Sequence, residues 1–328
     1  MTALRPDPRL TDPDAARAVA EVQALGLAPR HLAGLAVARA RVRRPPAPPD
    51  IDPGVRVTGL TLPGERAPRP ARLYRPATGA EAATLLYLHG GGWALGDLEI
   101  NDGVCRAIAL RAGVAVLSLD YRLAPEHPFP AALDDATAAL RKLASGLSTP
   151  DGVPLPEVLA VGGLSAGGAL AAALARRSRD GAAPPVAHQL LICPVLDCDL
   201  DRPSYRRYGR GLLLSRDDMA WFWDMYLPDR ASRRDPDASP LRAPDLGGLP
   251  PATIVVAGAD PLRDEAEEYA TRLATAGVPV EWVLVEGVPH GFVGNPAIRS
   301  GPAALARAGA AMARRLAAAA PVAVEEAR

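Results

Sequence analysis

Cysteine is scarce in this chain: Cys105, Cys193 and Cys198 are its only three in 328 residues. That is too few for a disulfide framework, and no C-x-x-C spacing offers a metal or redox pair. Buried free thiols are the reading that remains. Aromatic residues make up only 4% of the chain. No apolar run approaches the roughly 20 residues needed to span a bilayer. The first ten residues carry arginine and two prolines but no apolar h-region, so no secretory signal is expected and the expected location is the cytoplasm. Charge of one sign is lacking too: Lys+Arg and Asp+Glu both total 37. A nucleic-acid partner or an anionic membrane therefore finds no excess of charge to attract it.

What is present looks globular, with 48% hydrophobic and 23% charged residues. Residues 14–25 and 30–41 carry apolar side chains at helical spacing. A proline-rich stretch at 44–52 is too stiff for helix and reads as a linker. Beyond it, short apolar runs at 55–62, 72–75, 84–88, 114–119, 158–161, 189–193, 253–257 and 281–285 predict eight strands. Helical patterns at 102–112, 131–145, 168–180 and 264–276 separate most of the later ones. Continuous apolar strands alternating with helices predict an α/β fold, with a mostly parallel eight-stranded sheet covered on both faces. The segment 199–238 breaks the alternation and concentrates aromatics, as in Trp221, Phe222 and Trp223. It reads as a helical insertion over the strand ends. The expected division is an N-terminal helical cap segment (1–48), a first core part (49–198), a cap insertion (199–238) and a second core part (239–328).

Chemistry concentrates at four places. Gly163-Leu164-Ser165-Ala166-Gly167 is a G-x-S-x-G between an expected strand and an expected helix. In that setting the serine sits on a sharp turn, and the flanking small residues let strand and helix pass closely. A phosphate-binding loop is disfavoured, because no lysine follows in P-loop spacing and G-x-G-x-x-G does not fit. After the strand at 84–88 comes His89-Gly90-Gly91-Gly92-Trp93. Three consecutive glycines are entropically expensive and imply that bare backbone is needed. Gly91, Gly92 and the Ala166 N–H would hold a developing oxyanion, as the HGGG-type loop does in lipases and esterases. Of the five histidines, only His188 and His290 follow the serine. His188 precedes a strand and would lie at the wrong edge of the sheet, whereas His290 follows the last strand. Asp260 is the first acid after the penultimate strand, ahead of Asp264 and Glu265, which suit the first turn of a helix. The order Ser165, Asp260, His290 is that of an α/β-hydrolase triad.

Taken together, His89–Trp93, DYRLAPEHPFPAALDD at 120–135, GLSAGG at 163–168, ADPLRDEAEEY at 259–269 and HGF at 290–292 resemble the hormone-sensitive-lipase-like family of bacterial carboxylesterases. The matches span roughly residues 85 to 295 in the family's order. The resemblance implies an α/β-hydrolase fold with a helical cap that includes the N-terminus. It implies hydrolysis of short- to medium-chain carboxylic esters by Ser165, Asp260 and His290, without a metal or organic cofactor. Two positions depart from the family: Leu164 stands where Asp or Thr is usual, and Asn101 where His is common. Trp93, Leu164, Trp221 and Phe222 are candidate walls of the substrate pocket. The expected partner is a small-molecule ester, and an open edge at the last strand would permit a homodimer. The rival readings are an amidase or peptidase using the same triad and a non-catalytic small-molecule receptor on the same scaffold.

Overall fold

Strand β3 (Thr84–Leu88) shows how the sheet acquires two buried faces. Its side chains alternate with the strand period of two. Leu85 and Tyr87 enter one apolar cluster, and Leu86 and Leu88 enter the other. This architecture is seen in a computed structural model, which describes residues 7–45, 52–64, 66–79 and 81–319. In chain order the sheet strands are β1 (Val55–Leu62), β2 (Arg69–Pro76), β3, β4 (Ala115–Leu119), β5 (Leu159–Leu164), β6 (His188–Ile192), β7 (Ala252–Ala259) and β8 (Val280–Pro289). They lie side by side as β1-β2-β4-β3-β5-β6-β7-β8. Only the β1–β2 and β2–β4 pairs are antiparallel. The expected strands at 55–62 and 84–88 match β1 and β3 residue for residue, and most of the others run a few residues longer than expected.

Ahead of the sheet come α1 (Pro13–Ala24), α2 (Arg30–Ala33) and α3 (Leu35–Val42). Within it follow α4 (Asp102–Ala112), α5 (Ala131–Ala144), α6 (Ala166–Arg179), α7 (Pro203–Tyr208), α8 (Arg216–Tyr226), α9 (Arg263–Thr275) and α10 (Ser300–Ala319). One cluster joins Val104 and Ile108 of α4 and Leu305 and Met312 of α10 to one sheet face. The other joins Leu140 of α5, Leu170 and Leu174 of α6 and Tyr269 and Leu273 of α9 to the opposite face. Covering both faces is what allows the parallel strands to be apolar throughout.

The single helix expected at 30–41 is two helices. Gly34 between them adopts φ 82° and ψ 161°, which no helix accommodates, so the axis turns there. Most of the expected linker, residues 46–51, lies outside the described residues, as does the tail after Pro321. Between β6 and β7 the chain forms α7, α8 and two 3₁₀ turns, at Ser232–Arg234 and Pro240–Arg242. Helix α8 starts at a capping box in which Ser215 accepts the Asp218 N–H and the Asp218 carboxylate accepts the Ser215 N–H. The Asp218 carboxylate also meets His31 Nδ1 at 3.0 Å, while Arg30 Nη1 donates to the Leu213 carbonyl at 2.7 Å. Residues distant in sequence are thus fastened together, N-terminal helices to insertion. Among the described residues no helix is long and apolar enough to cross a membrane.

Candidate active site

Three side chains singled out from the sequence each occupy the position just past a strand's C-terminal end. Ser165 follows β5, Asp260 follows β7 and His290 follows β8. Ala259 and Pro289 are paired across the sheet, so Asp260 and His290 leave it from neighbouring positions. Such crevices beyond the carboxyl ends of parallel strands are where open α/β sheets place their sites. Nδ1 of His290 lies 2.7 Å from Oδ2 of Asp260 and Nε2 lies 2.9 Å from Oγ of Ser165. The other carboxylate oxygen, Oδ1, accepts the Leu262 N–H at 2.9 Å. An ionised carboxylate can only accept, so the ring carries its proton on Nδ1 and offers a lone pair at Nε2 to the serine hydroxyl. Asp260 and Ser165 are buried, and the His290 side chain keeps 13% of its surface exposed.

The elbow is strained as a nucleophile turn requires. Ser165 adopts φ 58°, unusual for a residue with a Cβ, and its N–H donates to the Ile192 carbonyl at 2.8 Å. Helix α6 opens directly at Ala166, two residues earlier than the expected start at 168, leaving the Ala166 N–H at the positive helix end. Beside it runs the glycine loop. Gly91 has φ 124° and a Cβ there would lie 2.2 Å from the Leu95 carbonyl oxygen. Gly92 has φ 59° and a Cβ there would lie 2.3 Å from Cγ of Phe222. Neither glycine N–H donates to a protein acceptor among the described residues.

His89 fixes this loop from below. Its ring stacks on Tyr121 at 4.2 Å between centroids, and Nδ1 lies 2.8 Å from the Gly90 carbonyl. Burial holds its pKa down to about 4, so the ring is neutral at pH 7. Asn101 fixes the loop from the side: its Oδ1 accepts the Gly90 N–H at 3.0 Å. The sequence marked Asn101 only as a departure from a family pattern, yet it sits at the N-terminus of α4, facing the loop.

Cys193 is a second residue whose place the sequence did not reveal. Its Sγ, a carboxylate oxygen of Asp260 and a ring nitrogen of His290 lie within 4.8 Å of one another. A soft metal could in principle use these three atoms, but both His290 nitrogens already meet hydrogen-bond partners. Burial pushes the thiol well above the usual thiol range, so it stays protonated at neutral pH. The signal was present in outline, since Cys193 directly follows β6, which lies between the β5 and β7 strands that carry Ser165 and Asp260.

The candidate pocket residues part company. Trp93 has no exposed surface; it stacks on Tyr226 at 4.1 Å and tilts against Trp223 at 4.8 Å, pinning α8 to the core. Phe222 lies against Gly92, and the Leu164 side chain packs beside Gly90. Trp221 is half-buried against Phe222. A cleft of about 300 Å³ lined by Asp197, Arg202, Arg242, Glu268 and Arg272 includes none of these residues, and Arg202 and Arg242 are already paired with carboxylates.

His188, the rival histidine, is the first residue of β6 and is fully buried, with Nε2 3.0 Å from Thr253 Oγ1. Burial lowers its pKa from 6.5 to about 3. Between those values the unfolded chain binds a proton that the folded one refuses, so stability is lost as pH falls. In His188→Gln the plot of unfolding free energy against pH should be shallower near pH 5 by about 1.4 kcal/mol per pH unit than in the parent protein. Urea titrations at several pH values check this, and parallel plots would contradict it.

The profile of a family described as alpha/beta hydrolase fold matches residues 85–294. A carboxylic ester hydrolase, LipN, of Mycobacterium tuberculosis is 44% identical over 255 residues, covering 76% of this chain and 68% of its own. An ethyl acetate hydrolase of Pseudomonas putida is 42% identical over 235 residues, covering 68% of this chain and 71% of its own. Among solved structures, the ester hydrolase EH1AB1 from the metagenome of Lake Arreo, complexed with a bipyridine phosphonate derivative, is 35% identical with a TM-score of 0.82 over 93% of this chain and 99% of its own. A thermostable esterase from Pseudomonas putida ECU1011 is 31% identical with a TM-score of 0.83 over 95% of this chain and 99% of its own. Sheet order, elbow, glycine loop and these likenesses agree: the chain belongs to the α/β-hydrolase fold family, among its hormone-sensitive-lipase-like members.

Proposed function

We propose that this protein is a carboxylic ester hydrolase that works through an acyl-enzyme on Ser165 and acts on short- to medium-chain esters. The observation that carries the mechanism is the chain of hydrogen bonds from Asp260 through His290 to Ser165, at 2.7 and 2.9 Å. Relatives named as carboxylic ester hydrolase, esterase and ethyl acetate hydrolase support the substrate class.

In this reading the Ser165 oxygen attacks the ester carbonyl carbon as its proton passes to His290 Nε2. The imidazolium is stabilised by Asp260, which holds the ring's tautomer without taking its proton. Negative charge gathers on the former carbonyl oxygen, where the N–H groups of Gly91, Gly92 and Ala166 receive it; each such donor is worth about 3 kcal/mol in the transition state. His290 then returns its proton to the departing alkoxide, and a water activated by the same ring releases the acid. The N-terminal helices and the 199–238 insertion act as a cap, with Phe222 bounding the acyl site beside the glycine loop.

A fluorophosphonate should therefore label Ser165, identified by peptide mass spectrometry, and p-nitrophenyl acetate and butyrate should be turned over faster than the laurate. Labelling at another residue would reject the nucleophile. A rate that climbs steadily to the longest chain would reject the substrate range.

A further inference from the structure

Among the described residues, the seven large apolar side chains exposed by 40% or more are not scattered. Five fall between residues 22 and 37: Val22 at 46%, Leu25 at 66%, Leu27 at 53%, Leu32 at 71% and Val37 at 44%. The link from α1 to α2 reads Leu25-Gly26-Leu27-Ala28-Pro29, without one polar side chain, and every residue of it is exposed. Gly26 makes the turn at φ 60°, and a Cβ there would meet nothing within 4 Å, so the link stands clear of the body. Tight packing elsewhere makes this exposure unusual, because scattered single residues are the norm on a soluble surface.

The charge around these residues is one-sided although the chain as a whole is neutral. Between Glu21 and Asp50 there is no acid, while Arg30, Arg39, Arg41, Arg43 and Arg44 lie in that stretch. Arg30 and Arg39 are spent on Asp218 and Glu126. Arg41, Arg43 and Arg44 form no ion pair among the described residues; Arg41 Nη1 instead donates to the Ala28 carbonyl at 2.6 Å, bringing one free cation beside the apolar link.

We propose that this N-terminal face docks the protein on an anionic phospholipid surface, with Leu25 and Leu27 entering the headgroup boundary and Arg41, Arg43 and Arg44 meeting lipid phosphates. Apolar insertion combined with basic contact is the two-signal arrangement that gives reversible surface binding. A second copy of the chain suits the face less well, because a two-fold contact would set the same unpaired arginines against themselves. The face is mechanically joined to the site. Arg39 Nε donates to the Ala94 carbonyl at 2.9 Å, just beyond the glycine loop, and α2 holds the capping box of α8, whose Phe222 covers Gly92. That docking presents bilayer-borne esters to Ser165 rests on the esterase reading; the docking itself does not.

The test is co-sedimentation of the full chain with phosphatidylcholine vesicles with and without phosphatidylglycerol, beside turnover of soluble p-nitrophenyl butyrate. The parent protein should partition onto the anionic vesicles at least about tenfold more strongly. Leu25→Ser/Leu27→Ser should lose about tenfold of that binding, and Arg41→Gln/Arg43→Gln/Arg44→Gln should remove the preference for anionic lipid, both with unchanged turnover of the soluble ester. Binding that neither variant weakens, or no binding by the parent protein, would overturn the proposal. A parent dimer that the leucine variant dissociates, with no vesicle binding, would assign the face to self-association instead. Vesicle binding without ester turnover would leave docking standing and reject the catalytic reading.

Discussion

Ser165→Ala is expected to lower kcat on p-nitrophenyl butyrate by at least ~10⁴-fold while leaving the fold intact. The loss follows from removing the atom that forms the acyl bond, since among the described residues no other hydroxyl is hydrogen-bonded to His290. Retained stability follows from the local structure. The serine side chain makes no capping bond to α6, and alanine at φ 58° carries the same Cβ strain that serine already bears. Asp260→Asn should cost about 10³–10⁴-fold, because an amide in place of the carboxylate favours the tautomer with Nδ1 unprotonated. Residues that act as a unit do not add, so the double variant should be no slower than Ser165→Ala alone. Steady-state kinetics with unfolding midpoints for all three proteins would decide it. If Ser165→Ala kept a hundredth of the parent rate, the acyl-enzyme route through this residue would be abandoned.

Gly167→Ala should instead strike stability, by more than about 4 kcal/mol or by preventing folding altogether. A Cβ at this position would lie 1.9 Å from the Leu88 carbonyl oxygen and 2.6 Å from that of His89. Both are backbone atoms at the end of β3, so no side-chain rotation can relieve the overlap; either α6 or the glycine loop must move. Gly113→Ala is the matched control. Gly113 closes α4 in a left-handed conformation at φ 60°, with nothing within 4 Å of a Cβ, so its replacement should cost about 1 kcal/mol of backbone strain. Urea unfolding of both variants measures the difference. A Gly167→Ala protein within 1 kcal/mol of its parent would contradict the close packing of elbow against glycine loop.

The contrast between these glycines shows how far local pattern reaches. Both are glycines at a helix end, and the sequence could say that G-x-S-x-G needs small residues without saying what they avoid. Which atom stands 1.9 Å away depends on β3 lying next to β5, although β4 and two helices separate them along the chain. Trp93 teaches the same lesson in reverse. Its position beside the glycine loop suggested a pocket wall, but Tyr226 and Trp223 of the insertion cover it completely. Asn101 and Cys193 went unrecognised because an amide and a thiol carry no spacing signature; they acquire roles only from the Gly90 N–H and the Asp260 carboxylate beside them.

Net composition speaks only for the chain as a whole. A balance of 37 against 37 charges argued against an anionic surface, and it describes the whole chain correctly. It averages over the stretch between Glu21 and Asp50, where acids are missing and leucines lie exposed.

By itself, the sequence determined the alternation of strand and helix and the positions of Ser165 on the turn after β5 and of Asp260 and His290 after the last two strands. Hydrophobic period and turn chemistry act between residues a few positions apart and leave a local record. Only the tertiary structure decided the sheet order, the burial of Trp93, the support of Gly90 by Asn101, the seat of Cys193 and the joining of α2 to α8. Those depend on contacts between segments distant in the chain, where packing chooses partners that no short pattern encodes.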